Sequence, residues 1–171
     1  MPNPPRSELE SAVSTTRQLL GAAACSCALV SADGSELTFA AADGKGAEAI
    51  VGVTLPLTRG IAGWVALTGQ PIAVADVAKD KRFAEDVAES TAYVPTSILA
   101  APLVSVDGEV LGVLEVLDPQ VVDDTSHLGG HHGTGAQLAV LAAMASQVAS
   151  LVRLTAQRDA LGDSLGDSDP A

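Results

Sequence analysis

Aromatic side chains are almost missing from this chain of 171 residues: one Trp, one Tyr and two Phe make up 2% of it. An interior without them must be built from Ala, Val, Leu and Ile, which pack densely but offer few large flat surfaces, and this argues against haem or a long chromophore. Cysteine is nearly absent too. The two present, Cys25 and Cys27, stand two positions apart in a segment that reads as a strand, so both side chains point the same way and a bridge between them would be strained. They read as small buried residues, with a redox role as the alternative. Positive charge is scarce: nine Lys and Arg face 21 Asp and Glu, for a net charge of -12 and a pI near 4.3. Such a balance repels a phosphate backbone and an anionic membrane surface, so neither nucleic acid nor membrane is an expected partner. No apolar run approaches the roughly 18 to 20 residues that span a bilayer, and the opening MPNPPRSELE has no apolar signal-peptide core. Cytoplasmic residence is the resulting expectation.

What is present suffices for one domain, since 47% of the residues are hydrophobic. Residues 1–6 and the polar, Pro-terminated tail 162–171 are expected to be disordered, with a single domain over 7–161 between them. Ser7 and Glu10 fit a capping box, and Leu9, Val13, Thr16 and Leu20 follow at helical spacing, predicting a helix over 7–20 that Gly21 stops. Strands over 23–32 and 36–42 flank the turn signal Asp33-Gly34. Asp43-Gly44-Lys45-Gly46 reads as a loop before a short strand or extended edge over 50–56. A helix over 61–68 ends at Gly69, a brief strand over 71–75 closes at Asp76, and a polar helix over about 80–90 carries Phe83 and Val87 on one side. The longest hairpin pairs 97–106 with 109–118 through Asp107-Gly108. Apolar residues occupy both phases of its strands, so both faces of the sheet should be covered.

Residues 121–135 are rich in Gly, His and Asp and lack periodicity, which predicts a long loop. The helix expected after it, over about 134–161, would be about 40 Å long, longer than a small sheet is wide. Leu138, Leu141, Ala145, Val148 and Val152 alternate three and four residues apart like a coiled-coil seam. The seam has two uses: packing on the chain's own sheet, at least over its first half, or meeting its copy in a second subunit.

The segment LPLTRGIAGWVALTGQPIAVADVAKDKRF, followed by TAYVPTSILAAPLVSVDGEVLGVLEVLD, resembles the GAF domain family of small sensory modules, and the resemblance extends over about residues 9–161. It implies an α+β fold with a central five- or six-stranded antiparallel sheet, the terminal helices on one face, and short helices and loops covering a pocket on the other. The cyclic-nucleotide branch is similar over KRFAEDVAESTAYVPTSILAAPL, but there the last strand ends in Asn-Lys and is followed by a Phe and an Asp-Glu pair, where this chain has Asp118-Pro119 and no Phe. The free methionine sulfoxide reductase branch uses pocket cysteines as nucleophile and resolving thiol, as its chemistry requires. No cysteine follows Cys27 here, which removes both that nucleophile and an attachment point for a bilin.

By the same resemblance, a ligand would meet residues 61–64, 76–93 and 97–100 and the inner face of 113–117. Three of the four aromatics, Trp64, Phe83 and Tyr93, fall in this layer. A buried Tyr93 must find a partner for its hydroxyl, while Trp64 sits at helical spacing and serves equally as core. Ser97 can offer a hydroxyl to the cavity or to local backbone, and Asp76 can face the pocket or cap its turn. Glu115 is the odd residue in a strand that is otherwise apolar on both faces. A buried carboxylate needs a cation or a polar ligand, so Glu115 reads either as an acceptor for an amine or hydroxyl of a bound molecule, or as the partner of Arg59 or Arg17, or as a solvated strand edge. His127, His131 and His132, with Asp123 and Asp124, are metal-capable, but a Gly-rich loop supplies no fixed geometry, so no metal site is assigned.

The expectation is a non-enzymatic, small-molecule-sensing regulatory module acting in bacterial signal transduction, as a homodimer through its N- and C-terminal helices. No catalytic residue is assigned and the cofactor is left unknown. The alternative is a scaffold whose pocket is filled by its own side chains and whose role is dimerisation or protein interaction; a methionine sulfoxide reductase-like enzyme is the least expected. Output would pass through oligomeric state or a separate effector protein. The Ala, Gly and Val bias with little Lys suggests a GC-rich bacterial genome.

Overall fold

The computed structural model describes residues 6–120 and 132–166. Helix α1 (Arg6–Leu19) leads into β1 (Ala24–Val30) and β2 (Glu36–Gly44), followed by α2 (Ala47–Ile50), β3 (Thr54–Pro56), α3 (Gly60–Thr68) and β4 (Ile72–Val74). A 3-10 turn (Val77–Lys79) and α4 (Glu85–Ser90) precede β5 (Ile98–Val104), β6 (Val110–Leu117) and α5 (His132–Gly166). The six strands form one antiparallel sheet in the order β3-β2-β1-β6-β5-β4. The fold is α+β.

Two apolar layers clamp this sheet. On one face α1 and α5 bring Leu9, Val13, Leu141, Ala145, Val148 and Val152 against Cys25, Cys27, Leu99, Ala101, Leu114 and Val116. On the other, α3 and the loops around it bring Leu57, Ile61, Ala62, Val65 and Val77 against Ala28, Leu37, Phe39, Ile98, Ala100 and Val113. Odd and even positions of each strand thus serve different layers, as the period of a strand requires. A bulge between Cys27 and Ala28 pairs them with Ala41 and Phe39, leaving Ala40 as the extra residue in β2. Helix α3 lies close enough to its own preceding loop that Gly63 is obligatory: a Cβ there would stand 2.2 Å from the Leu57 carbonyl oxygen.

Several boundaries differ from the sequence expectations. Strand β2 continues through Asp43 to Gly44, because β1 pairs with it as far as Ala24, so part of the expected loop is strand. Residues 47–50 form α2, which takes in the first residue of the expected strand or extended edge over 50–56, and β3 shrinks to Thr54–Pro56. The expected polar helix over about 80–90 shrinks to α4 (Glu85–Ser90), with the 3-10 turn ahead of it. Helix α1 begins at Arg6, and Glu10 pairs with Arg6 at 2.8 Å on its exposed face.

The long helix starts at His132, two residues earlier than expected, and its seam is spent on its own sheet. Leu141 and Ala145 are 0% exposed, Val148 2% and Val152 6%, and Leu138 packs against the same cluster. These residues therefore cannot be the dimer surface, and the reason is that the sheet face would otherwise lie bare. The segment Thr134–Arg158 is long and apolar enough to cross a membrane by length and composition, which overturns the expectation that no run approaches that size. A third of it is buried, along one stripe laid on the sheet, the pattern of a surface helix packed on a core. Asp123, Asp124, His127 and His131 lie outside the described residues.

Replacing Leu141 by Ala should cost about 2 to 5 kcal/mol of unfolding free energy in urea, whereas Val106→Ala, at a side chain 95% exposed, should stay within about 0.5 kcal/mol. Equal effects would contradict the packing described.

Candidate functional site

Between the cavity face of β1, β2 and β6 and a cover made of α2, α3, α4 and the loop 91–97 lies a hollow of about 100 Å³ that opens to solvent at its mouth. Small side chains create it: Ala24, Ala42, Ala47, Ala62, Ala84 and Ala88 all line the space, with Ile50, Leu55, Ile61, Phe83, Val87, Ile98 and Leu117 supplying the larger apolar walls. Polar groups are few. Ser26 and Glu115 lie on the floor, while Asp43, Lys45, Arg59, Thr91 and Tyr93 complete the lining.

Strand pairing puts Ser26 directly across from Glu115 on one side and from Ala42 on the other. Ser26 is 8% exposed and Glu115 9%. Neither cation considered for Glu115 reaches it. Arg17 donates to Asp43 at 2.6 Å and Arg59 to Asp86 at 2.6 Å, and Glu115 forms no ion pair or hydrogen bond among the described residues. Since no fully buried side-chain oxygen among them goes without a partner, its carboxylate opens onto the cavity. It is not a solvated strand edge either, because β6 is a central strand. Burial alone pushes its carboxyl up from 4.5 to about 7, as expected where a charge is taken from water without compensation.

The cover is fastened by Asp118, the residue after β6. Its backbone sits in the left-handed region with φ 47°, and its carboxylate accepts from the Tyr93 hydroxyl, from the Thr96 and Ser97 amides at 2.9 and 2.8 Å, and from the Ser97 hydroxyl at 3.3 Å. Burial, with this hydrogen bond to Asp118, pushes the Tyr93 phenol up to about 12. Lys45 Nζ stands 5.1 Å from the centre of the Tyr93 ring, a cation–π distance.

Of the six residues singled out from sequence, the fold brings Phe83, Tyr93 and Glu115 to one cavity. Trp64 lies outside it, in a neighbouring groove that Phe83 also borders, with the Arg82 guanidinium 4.7 Å from its ring. Asp76 is outside as well, paired with Lys79 at 2.8 Å, and Ser97 serves the Asp118 clasp rather than the cavity. Sequence reasoning passed over Ser26, Lys45 and the clasp. A lone Ser between two buried Cys in a strand was a signal of an inside-out change of face, and Asp118-Pro119 had been noticed only as a departure.

Residues 4–152 match the family model described as GAF domain. The chain belongs to the GAF domain family. GAF domains are signalling and sensor modules, found in phosphodiesterases and sensor kinases. Among curated relatives, this GAF domain is 33% identical over 66 residues to the dual 3',5'-cyclic-AMP and -GMP phosphodiesterase 11A of Takifugu rubripes, a stretch that covers 39% of the chain and 7% of that protein. It thus spans less than a tenth of that relative. Among solved structures, the GAF domain from a phosphoenolpyruvate-protein phosphotransferase of Coxiella burnetii superposes with TM-score 0.72 at 21% identity, covering 91% of this chain and 86% of that one. The free methionine-R-sulfoxide reductase of Neisseria meningitidis, solved with its substrate, gives TM-score 0.62 at 20% identity over 87% and 80% of the two chains. At such identities the likeness is one of fold.

Two measurements check the site. A carboxyl whose pKa is raised on folding binds its proton in the native state where the unfolded chain has lost it, so stability falls as pH rises through that window. Glu115→Gln should therefore gain on the wild type by up to about 3 kcal/mol between pH 4.5 and pH 7, read by urea unfolding; a constant difference would contradict the burial. Asp118→Ala should lose about 1 to 3 kcal/mol and speed hydrogen exchange at the Thr96 and Ser97 amides, which would be unchanged if the clasp did not hold the cover.

Proposed function

We propose that this GAF domain is a non-enzymatic sensor that takes a small organic molecule into the cavity over β1, β2 and β6 and acts in signal transduction as a homodimer. The observation that carries it is Glu115, buried in a central strand, without a partner among the described residues, and facing a hollow rather than packed side chains. Few folds keep such a group without a use for it, since its burial costs stability. A scaffold whose pocket is filled by its own side chains, the rival reading, would have no reason to leave this space open. The walls fit the usual pattern of a ligand site, mostly apolar with a few convergent polar groups.

Catalysis by thiol chemistry finds no support in the cavity. Both cysteines are free; Cys27 is buried in the helix-side core, and Cys25, although its strand position borders the cavity, has its 0% exposed side chain in the same core. Burial pushes both thiols up, Cys27 to about 12. A reductase needs a thiolate at its substrate.

Signal output runs through the same strand: Leu114 and Val116, on either side of Glu115, pack under α1 and α5. Along the edge of its buried stripe, helix α5 carries Val140, Met144, Gln147, Leu151 and Leu154 at alternating spacings of four and three, with Met144 and Leu151 packing partly on the core. Val140 is 41% and Leu154 65% exposed, so a second copy has an apolar seam to join.

Native mass spectrometry of the protein purified from cell extract should show a small-molecule adduct that disappears in Ala88→Trp, which fills the cavity from α4. Ligand-free protein, with no thermal shift across a metabolite panel, would favour the scaffold. In sedimentation equilibrium the wild type should be a dimer and Leu154→Lys a monomer; a monomeric wild type would overturn the assembly.

A further inference from the structure

We infer that the deep end of the cavity is a receptor for an amine: a small, largely apolar molecule whose ammonium group seats between the Glu115 carboxylate and the Ser26 hydroxyl. This rests on the cavity being a ligand site and narrows what enters it.

Four observations converge. Glu115 is nine-tenths buried, lines the cavity and meets no cation of its own chain among the described residues. Ser26, its cross-strand neighbour, is equally buried and its hydroxyl makes no hydrogen bond within the described residues. They stand opposite each other across one strand spacing, roughly 5 Å, and so present two acceptors that several N–H groups on one nitrogen can address at once. The walls around them are Ile50, Leu55, Ile61, Phe83, Val87 and Leu117, suited to a hydrocarbon body.

Charge separates an amine from the alternatives. A carboxylate or phosphate would be pressed against an unpaired carboxylate in a protein of net charge -12, whereas that field draws cations in. A neutral hydroxyl supplies one donor and leaves the buried charge uncompensated; an ammonium supplies both donors and charge. The other charged or titratable groups lining the cavity do not compete. Asp43 is held by Arg17 and Arg59 by Asp86, Tyr93 is bound to Asp118, Lys45 stacks over the Tyr93 ring, and burial keeps Cys25, at the cavity wall, a neutral thiol.

The pH dependence follows. The empty site holds a proton on Glu115 up to about pH 7, and an ammonium must displace it, so affinity should rise with pH through that point and level off above it.

The test is calorimetric titration of the full chain with matched sets at pH 6 and pH 8: phenethylamine, phenethyl alcohol and phenylacetate, then n-butylamine, n-butanol and butyrate, with cyclic AMP and cyclic GMP alongside. The amines should bind at least about tenfold tighter than their isosteres, and tighter at pH 8 than at pH 6. Glu115→Gln should abolish that preference and its pH dependence, and Ser26→Ala should weaken amine binding severalfold, which keeps the test open if one variant folds poorly. Alcohols, acids or cyclic nucleotides binding as well as the amines, with Ala88→Trp blocking them, would sink the amine and leave the sensor standing. Amine binding indifferent to both substitutions would also overturn the inference, and a cavity that takes no compound of any class would overturn both readings.

Discussion

Everything in this domain depends on the alternation along β6. With β1 and β5 paired to its two edges and an apolar layer on each face, the strand must send Leu114 and Val116 to the helices and Val113, Glu115 and Leu117 to the other side. A slip of one residue would drive Glu115 into a dry helix interface and turn two large aliphatic side chains into the hollow. The register is therefore fixed by burial on both faces at once, and the position of the carboxylate is fixed with it.

The hollow has its own cause. A chain with four aromatic residues cannot fill the space between a sheet and a cover of short helices, and here alanines line much of that space. The cover is consequently held less by packing than by polar ties: the Asp118 clasp on the loop 91–97, and the Arg59–Asp86 pair at 2.6 Å joining the start of α3 to α4. Polar ties at a mouth can open and re-form in water at small net cost, which suits a site that must admit a molecule and respond to it. The rigid side of the sheet, with α1 and α5 packed across it, is where such a response would be felt.

Much of this was legible in the residue pattern. Asp33-Gly34 and Asp107-Gly108 mark hairpins because their turns need residues tolerant of positive φ, and Gly34 and Gly108 do adopt it. Glu115 stood out because a carboxylate interrupts an apolar strand. What escaped the sequence was long-range. Nothing local to Leu141 or Val148 distinguishes a seam for a second copy from a seam for the chain's own sheet; only the bare sheet face decides. Trp64 and Tyr93 looked alike as rings in one layer, yet the turn of α3 sends Trp64 to an outer groove beside Arg82. Arg17 and Arg59 were reasonable partners for a lone carboxylate until Asp43 and Asp86 proved nearer. Ser26 could not be recognised as a floor residue without the pairing that sets it across from Glu115.

The central claim is that Glu115 is a carboxyl without a charged partner among the described residues, facing the cavity over β1, β2 and β6. Its titration in the ligand-free protein, followed by carbon-13 NMR of the labelled side-chain carboxyl, tests this most directly. The account predicts a midpoint near 7. A midpoint at the ordinary glutamate value of about 4.3 would mean that water or a cation already serves the group, and the case for a receptor would fall.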